Sequence, residues 1–105
     1  MPSLSTHVLD AARGAPASGL AVDLLEGDVV LESAVTDPDG RVAWGSAPGA
    51  GVLRVRFATG PWFAAAGRET FFPVVEVTAE LTEGSEHVHL ALLLSPFAYT
   101  TYRGS

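Results

Sequence analysis

Glu86-His87-Val88-His89-Leu90-Ala91-Leu92-Leu93-Leu94 is the stretch that decides the fold. Side chains on a strand alternate between two faces with period two. Val88, Leu90, Leu92 and Leu94 then share one face, an aliphatic set that belongs to a core. His87, His89, Ala91 and Leu93 share the other, so two imidazoles stand together on a sheet surface facing away from the interior. The same alternation recurs upstream. Within Val52–Ala58, Leu53, Val55 and Phe57 oppose Arg54 and Arg56. Within Val74–Leu81, Val75, Val77, Ala79 and Leu81 oppose Glu76, Thr78 and Glu80. Both read as antiparallel strands wet on one side, with the arginines matched to Glu76 and Glu80 across the sheet.

Working outward, further strands are expected at Leu4–Leu9, Leu20–Leu25, Val29–Thr36, Arg41–Trp44 and Ala98–Arg103. Gly27-Asp28 suits a turn. Asp37-Pro38-Asp39-Gly40 is a stronger one: proline presets φ, aspartate bonds its own backbone, and glycine tolerates positive φ. Asp10–Ser18 and Ala47–Gly51 read as loops and Thr82–Ser85 as a turn. Pro61–Gly67 is the one helical window, with proline in the first turn and glycine just past the end. Seven or eight short strands at regular spacing predict an all-β sandwich in which the helix is an insertion.

The chain has 105 residues, which predicts one domain spanning 1–105. Hydrophobic residues make up 48% and charged residues 17%, too apolar for a disordered chain. A domain of this size leaves much surface exposed, so oligomerisation is a natural route to further burial. The sequence contains no cysteine, which removes disulfides, thiolate nucleophiles and cysteine-ligated metals. All 6 basic residues are arginines, which removes Schiff-base chemistry and a Walker-type lysine. The net charge of −6 repels phosphate backbones and anionic membrane surfaces, so neither nucleic acid nor membrane is an expected partner. The run Leu90–Leu94 is far short of the ~20 apolar residues that span a bilayer. Met1-Pro2-Ser3-Leu4 carries no basic or apolar leader, which makes a cytoplasmic location the expectation.

The histidine pair has several readings: a solvated surface pair, a general acid–base site, or a metal site. With His7, the pair gives three potential zinc ligands and an open fourth position. His7 follows Ser5-Thr6, whose hydroxyls are placed to orient a ring nitrogen. Arg41, directly after the Asp-Pro-Asp-Gly turn, can present a bidentate fork to a carbonyl or an anion, or pair with Asp37 or Asp39 on the surface. The hydroxyl-rich end, Tyr99-Thr100-Thr101-Tyr102-Arg103-Gly104-Ser105, fits a strand ordered in an interface.

Leu4-Ser5-Thr6-His7-Val8-Leu9-Asp10 and Tyr102-Arg103-Gly104-Ser105 together resemble the 5-hydroxyisourate hydrolase family, the transthyretin-related enzymes of purine catabolism. Gly14-x-Pro16-Ala17, Thr36-Asp37-x-Asp39-Gly40-Arg41, Phe57-x-Thr59-Gly60, Phe71-Phe72-Pro73, and His87-x-His89 followed by Leu92-Leu93-Leu94-Ser95-Pro96 agree with it. The resemblance implies a transthyretin-like sandwich of two four-stranded sheets with one short helix. It implies a homotetramer, a dimer of dimers, with active sites at the dimer–dimer interface. The implied reaction opens the six-membered ring of 5-hydroxyisourate at N1–C6, giving 2-oxo-4-hydroxy-4-carboxy-5-ureidoimidazoline, with no metal or organic cofactor. The implied catalytic residues are His7, Arg41 and His89. Tyr102, Thr100, Arg103 and Ser105 join His7 and Arg41 in binding substrate. Thr100 stands where serine is usual, Val88 where tyrosine is, Ala91 where proline is and Ala98 where glycine is common. The same fold in a hormone carrier is the alternative, and Tyr102 argues against it by filling the channel that the carrier keeps open.

Overall fold

The computed structural model describes residues 2–45, 48–84 and 87–104. The expected residues Ala47, Ser85, Glu86 and Ser105 lie outside that range. Among the described residues, nine strands and one helix run in the order β1 (Ser3–Asp10), β2 (Ala15–Pro16), β3 (Ala21–Glu26), β4 (Val29–Val35), β5 (Arg41–Ala43), β6 (Gly51–Phe57), α1 (Thr59–Ala65), β7 (Val75–Leu81), β8 (His87–Leu94) and β9 (Tyr99–Gly104). They form two sheets. One has the order β4-β3-β6-β7; the other has β2-β1-β8-β9, with β5 also paired to β1. All eight expected strands are present, and β2 is a two-residue addition inside the expected loop at Asp10–Ser18.

The inner faces meet as the alternation predicts. Leu4 and Val8 of β1, Leu53, Val55 and Phe57 of β6, and Leu90, Leu92 and Leu94 of β8 are buried in one cluster. Phe63 of α1 fills the end of that core. β4 carries a bulge at Leu31, which is skipped between the pairs Leu24–Glu32 and Leu25–Val30.

Two expectations are corrected. The helix begins at Thr59, two residues ahead of Pro61, because proline is tolerated anywhere in a first turn, where N–H groups have no intrahelical acceptor. Its end is as expected: Gly67 takes φ 66°, its N–H donates to Ala64 O at 3.0 Å, and the Arg68 N–H donates to Phe63 O at 2.9 Å. Arg54 does meet Glu76, at 3.3 Å, but Arg56 pairs with Asp23 at 2.9 Å. The register explains the change, since Glu80 stands opposite Val52.

The register of the second sheet positions the site. The β1–β8 pairing is parallel and sets Ser3 beside His87, Ser5 beside His89 and His7 beside Ala91. The β1–β5 pairing sets His7 beside Arg41. The β8–β9 pairing sets Gly104 beside His89 and Tyr102 beside Ala91. All of these side chains lie on the outer face, because their neighbours in sequence point into the core.

Candidate active site

The turn before β5 builds one wall. Asp37 Oδ1 accepts hydrogen bonds from the N–H groups of Asp39 and Arg41, both at 2.9 Å, and the Gly40 N–H donates to Asp37 O at 2.8 Å. Gly40 has φ 77°, and a Cβ there would collide with Val8 O. The turn can therefore lie flat against β1, and Val8 N–H donates to Gly40 O at 2.8 Å. His7 Nε2 donates to the Asp39 carbonyl at 2.9 Å. A carbonyl can only accept, so Nε2 carries the proton and the lone pair of neutral His7 sits on Nδ1.

Ser5 and Thr6 do not orient His7, contrary to expectation. Alternation sends Thr6 inward, where its hydroxyl donates to Leu90 O at 2.7 Å. The Ser5 hydroxyl stands between the two histidines of β8. It lies 2.7 Å from His89 Nδ1 and 2.8 Å from His87 Nε2. Ser3 Oγ lies 2.6 Å from His87 Nδ1.

His7 and His89 face each other with ring centroids 6.3 Å apart and ring planes tilted by 43°. Beside them is a cleft of about 340 Å³ lined by Ser5, Asp37, Arg41, Ala43, His87 and His89. The His89 imidazole is half-buried and its pKa is pushed below the ordinary histidine value. Burial is the larger cause, followed by the positive charges of His7, Arg41 and His87. These causes disfavour the charged ring, and with Nδ1 engaged by Ser5 the other ring nitrogen of His89 is Nε2. Arg41 makes no ion pair among the described residues. The surface pairing with Asp37 does not form, because that carboxylate is turned onto backbone N–H groups.

The expected residues divide accordingly. His7, Arg41 and His89 come together. Tyr102 and Thr100 lie on the same outer face but on β9, with Tyr102 separated from His7 by Ala91. Arg103 pairs with Leu90 and so points from the opposite face. Ser105 lies outside the described residues. Val88 is on the core side, so the exchange of tyrosine for valine does not touch the cleft. The Asp39 carbonyl was not singled out from sequence; Ser5 was expected to orient His7, His87 was weighed as a metal ligand or acid–base group, and Gly104 entered only as part of the terminal motif. A Cβ on Gly104 would come within 2.7 Å of His89 Cδ2, so glycine there lets β9 press on the imidazole.

The profile of the HIUase/Transthyretin family matches residues 4–104. The chain belongs to this family. It is 41% identical to a 5-hydroxyisourate hydrolase of Salmonella dublin over 97% of this chain and 80% of the relative. The solved structure of Klebsiella pneumoniae 5-hydroxyisourate hydrolase superposes with a TM-score of 0.93 at 39% identity, covering 100% of both chains. Sea bream transthyretin in complex with thyroxine superposes with a TM-score of 0.87 at 35% identity, covering 97% of this chain and 94% of that one. The HIUase/transthyretin fold thus serves relatives named for hydrolysis and a relative that binds a hormone, and the side chains of the cleft must discriminate between them.

Proposed function

We propose that this protein is a 5-hydroxyisourate hydrolase that opens the N1–C6 bond to give 2-oxo-4-hydroxy-4-carboxy-5-ureidoimidazoline. The observation that carries this reading is the cleft lined by the unpaired Arg41 guanidinium and by His89, whose pKa is lowered, with the His7 ring 6.3 Å from that of His89. His89 takes a proton from water through Nε2 as the water adds to C6. Arg41 binds the carbonyl edge and stabilises the oxyanion as it develops. His7, tautomer fixed by the Asp39 carbonyl, aligns water or the departing N1 through Nδ1. Collapse of the tetrahedral adduct breaks N1–C6, and the proton held by His89 goes to N1.

The site needs no metal in this scheme. Both His87 nitrogens are engaged by serine hydroxyls, so a zinc ion on His7, His87 and His89 would first have to break those bonds. The cleft is open on the outer face, and Arg41 and His87 are exposed. β9 is an edge strand with Tyr102 52% exposed, and Phe97 beside it is 66% exposed. An unprotected edge with exposed aromatics invites pairing with a second copy. The assembly that closes the cleft is a homotetramer, a dimer of dimers, with Tyr102 and Thr100 completing the substrate pocket. No helix among the described residues is long and apolar enough to cross a membrane.

The test is decay of freshly generated 5-hydroxyisourate, followed by ultraviolet absorbance with and without protein. A large acceleration supports the hydrolase. No acceleration, together with saturable thyroxine binding, assigns the chain to the carriers.

A further inference from the structure

We infer that Ser5 and His87 form a hydroxyl-bridged relay that sets which nitrogen of His89 carries the proton; this rests on the hydrolase reading for its catalytic meaning. The observation is an unbroken chain: Ser3 Oγ to His87 Nδ1 at 2.6 Å, His87 Nε2 to Ser5 Oγ at 2.8 Å, and Ser5 Oγ to His89 Nδ1 at 2.7 Å. The chain runs from an exposed imidazole to a half-buried one.

Ser5 has one hydroxyl proton and stands between two ring nitrogens. With one hydrogen in each of its two bonds, only two arrangements exist. In the first, His89 Nδ1–H donates to Ser5, and Ser5 donates to His87 Nε2. His89 Nε2 then holds a lone pair and is a base. In the second, His87 Nε2–H donates to Ser5, and Ser5 donates to His89 Nδ1. His89 Nε2 then carries a proton and is an acid. The two polarities are the two states that hydrolysis needs of the same nitrogen.

Passage between them moves no ring. When Nε2 accepts the proton of the attacking water, Nδ1–H passes to Ser5 Oγ as the Ser5 proton passes to His87 Nε2. The positive charge leaves the half-buried site, where His7 and Arg41 oppose it, for an exposed side chain. His87 releases its Nδ1 proton to solvent. As Nε2–H passes to N1, the Ser5 proton passes to His89 Nδ1 and the His87 Nε2 proton to Ser5, which restores the base without an anionic ring, and His87 takes a proton back from solvent at Nδ1. Each transfer breaks one N–H or O–H bond and forms another, so protons and charge balance.

The groups facing His89 are His7 from β1, Arg41 from β5, Asp37 from the turn before it, and His87 on its own strand. Among the described residues of β9, Gly104 stands opposite His89. Beside His87, β1 offers the hydroxyls of Ser3 and Ser5. Once His87 is protonated on both nitrogens, its Nε2–H must donate to Ser5. Ser5 must then donate to His89 Nδ1, which forces the proton of a neutral His89 onto Nε2.

Two measurements test this. In 15N-histidine-labelled protein, a neutral His89 is expected to carry its proton on Nε2 wherever the nitrogen shifts show His87 protonated on both nitrogens. Ser5→Ala is expected to abolish that coupling. In kinetics, His87→Gln keeps a hydrogen-bonding side chain that cannot relay a proton. It is expected to lower kcat tenfold or more with KM within about twofold, a fraction of the 10²–10⁴ that positioned acid–base groups contribute. Added imidazole is expected to restore rate to His87→Ala. A His89 tautomer indifferent to the protonation state of His87 overturns the relay, as does a His87→Gln enzyme with wild-type kcat and pH profile. If the wild-type protein fails to open 5-hydroxyisourate, the hydrolase reading falls, and the nitrogen shifts still decide the relay.

Discussion

Gly104→Ala separates catalysis from stability. Gly104 is not among the glycines of positive φ, so alanine meets no backbone strain there. The single consequence is steric. The new methyl would lie 2.7 Å from His89 Cδ2, about 0.7 Å inside ordinary contact at 3.4 Å. The hindering atom belongs to a ring pinned by the 2.7 Å bond between Nδ1 and Ser5 Oγ. Either the imidazole swings off Ser5 or the end of β9 lifts from β8. Misplacement of a reacting group by about 1 Å costs on the order of 10²-fold in rate, so kcat/KM is expected to fall about 10- to 100-fold. Stability is expected to change by about 1 kcal/mol or less. Gly104 is near the end of an edge strand, and alanine removes unfolded-state entropy worth about 0.4–1 kcal/mol. Ultraviolet decay kinetics beside a urea melt read both quantities. An alanine enzyme with wild-type kcat/KM refutes the placement of His89, and one that loses activity only because it unfolds refutes the steric argument.

Other outcomes follow from the same geometry. His89 has its pKa pushed down, so the neutral base persists below the ordinary histidine value of 6.5. The acid limb of kcat/KM is expected to fall through that lowered value, and a limb at or above the ordinary value contradicts the assignment. Asp10 is buried against Arg68 at 2.6 Å, and Arg68 stacks on Phe63 at 4.8 Å. Burial alone would raise the Asp10 pKa, but Arg68 and the Arg13 N–H outweigh it and the value is lowered. The stability this supplies is therefore present above the ordinary carboxylate value of 3.8 and lost as pH falls through the lowered one. Arg68→Met leaves the carboxylate buried without its partner and is expected to cost roughly 3 kcal/mol in a urea melt at pH 7. Exhaustive chelation is expected to leave activity on 5-hydroxyisourate intact, and loss restored by added zinc contradicts the scheme.

The fold was legible where one strand could be read alone. Alternation at Leu53–Phe57 and Val88–Leu94 states which side is wet before any partner strand is known. The turn at Asp37–Gly40 and the helix stop at Gly67 were legible because each rests on local backbone chemistry. What stayed hidden was register. Ser5 meets His89 only through a parallel β1–β8 pairing whose members are 84 residues apart, and no local pattern encodes that. The role of Thr6 was misread for want of the alternation rule applied to β1, which turns it inward beside Leu90. Arg103 entered the expected substrate-binding set through the family resemblance, and alternation places it on the face of β9 opposite Tyr102. His7 and Arg41 became neighbours through a turn the sequence did announce, and that part of the site was foreseeable.

The most direct trial compares the wild-type protein with His7→Ala, Arg41→Ala and His89→Ala on the same preparation of 5-hydroxyisourate. Wild-type protein is expected to consume it far faster than buffer, with Arg41→Ala and His89→Ala each slower on the order of 10²-fold and folded. Catalysis that survives the loss of both the guanidinium and the half-buried imidazole would contradict the account.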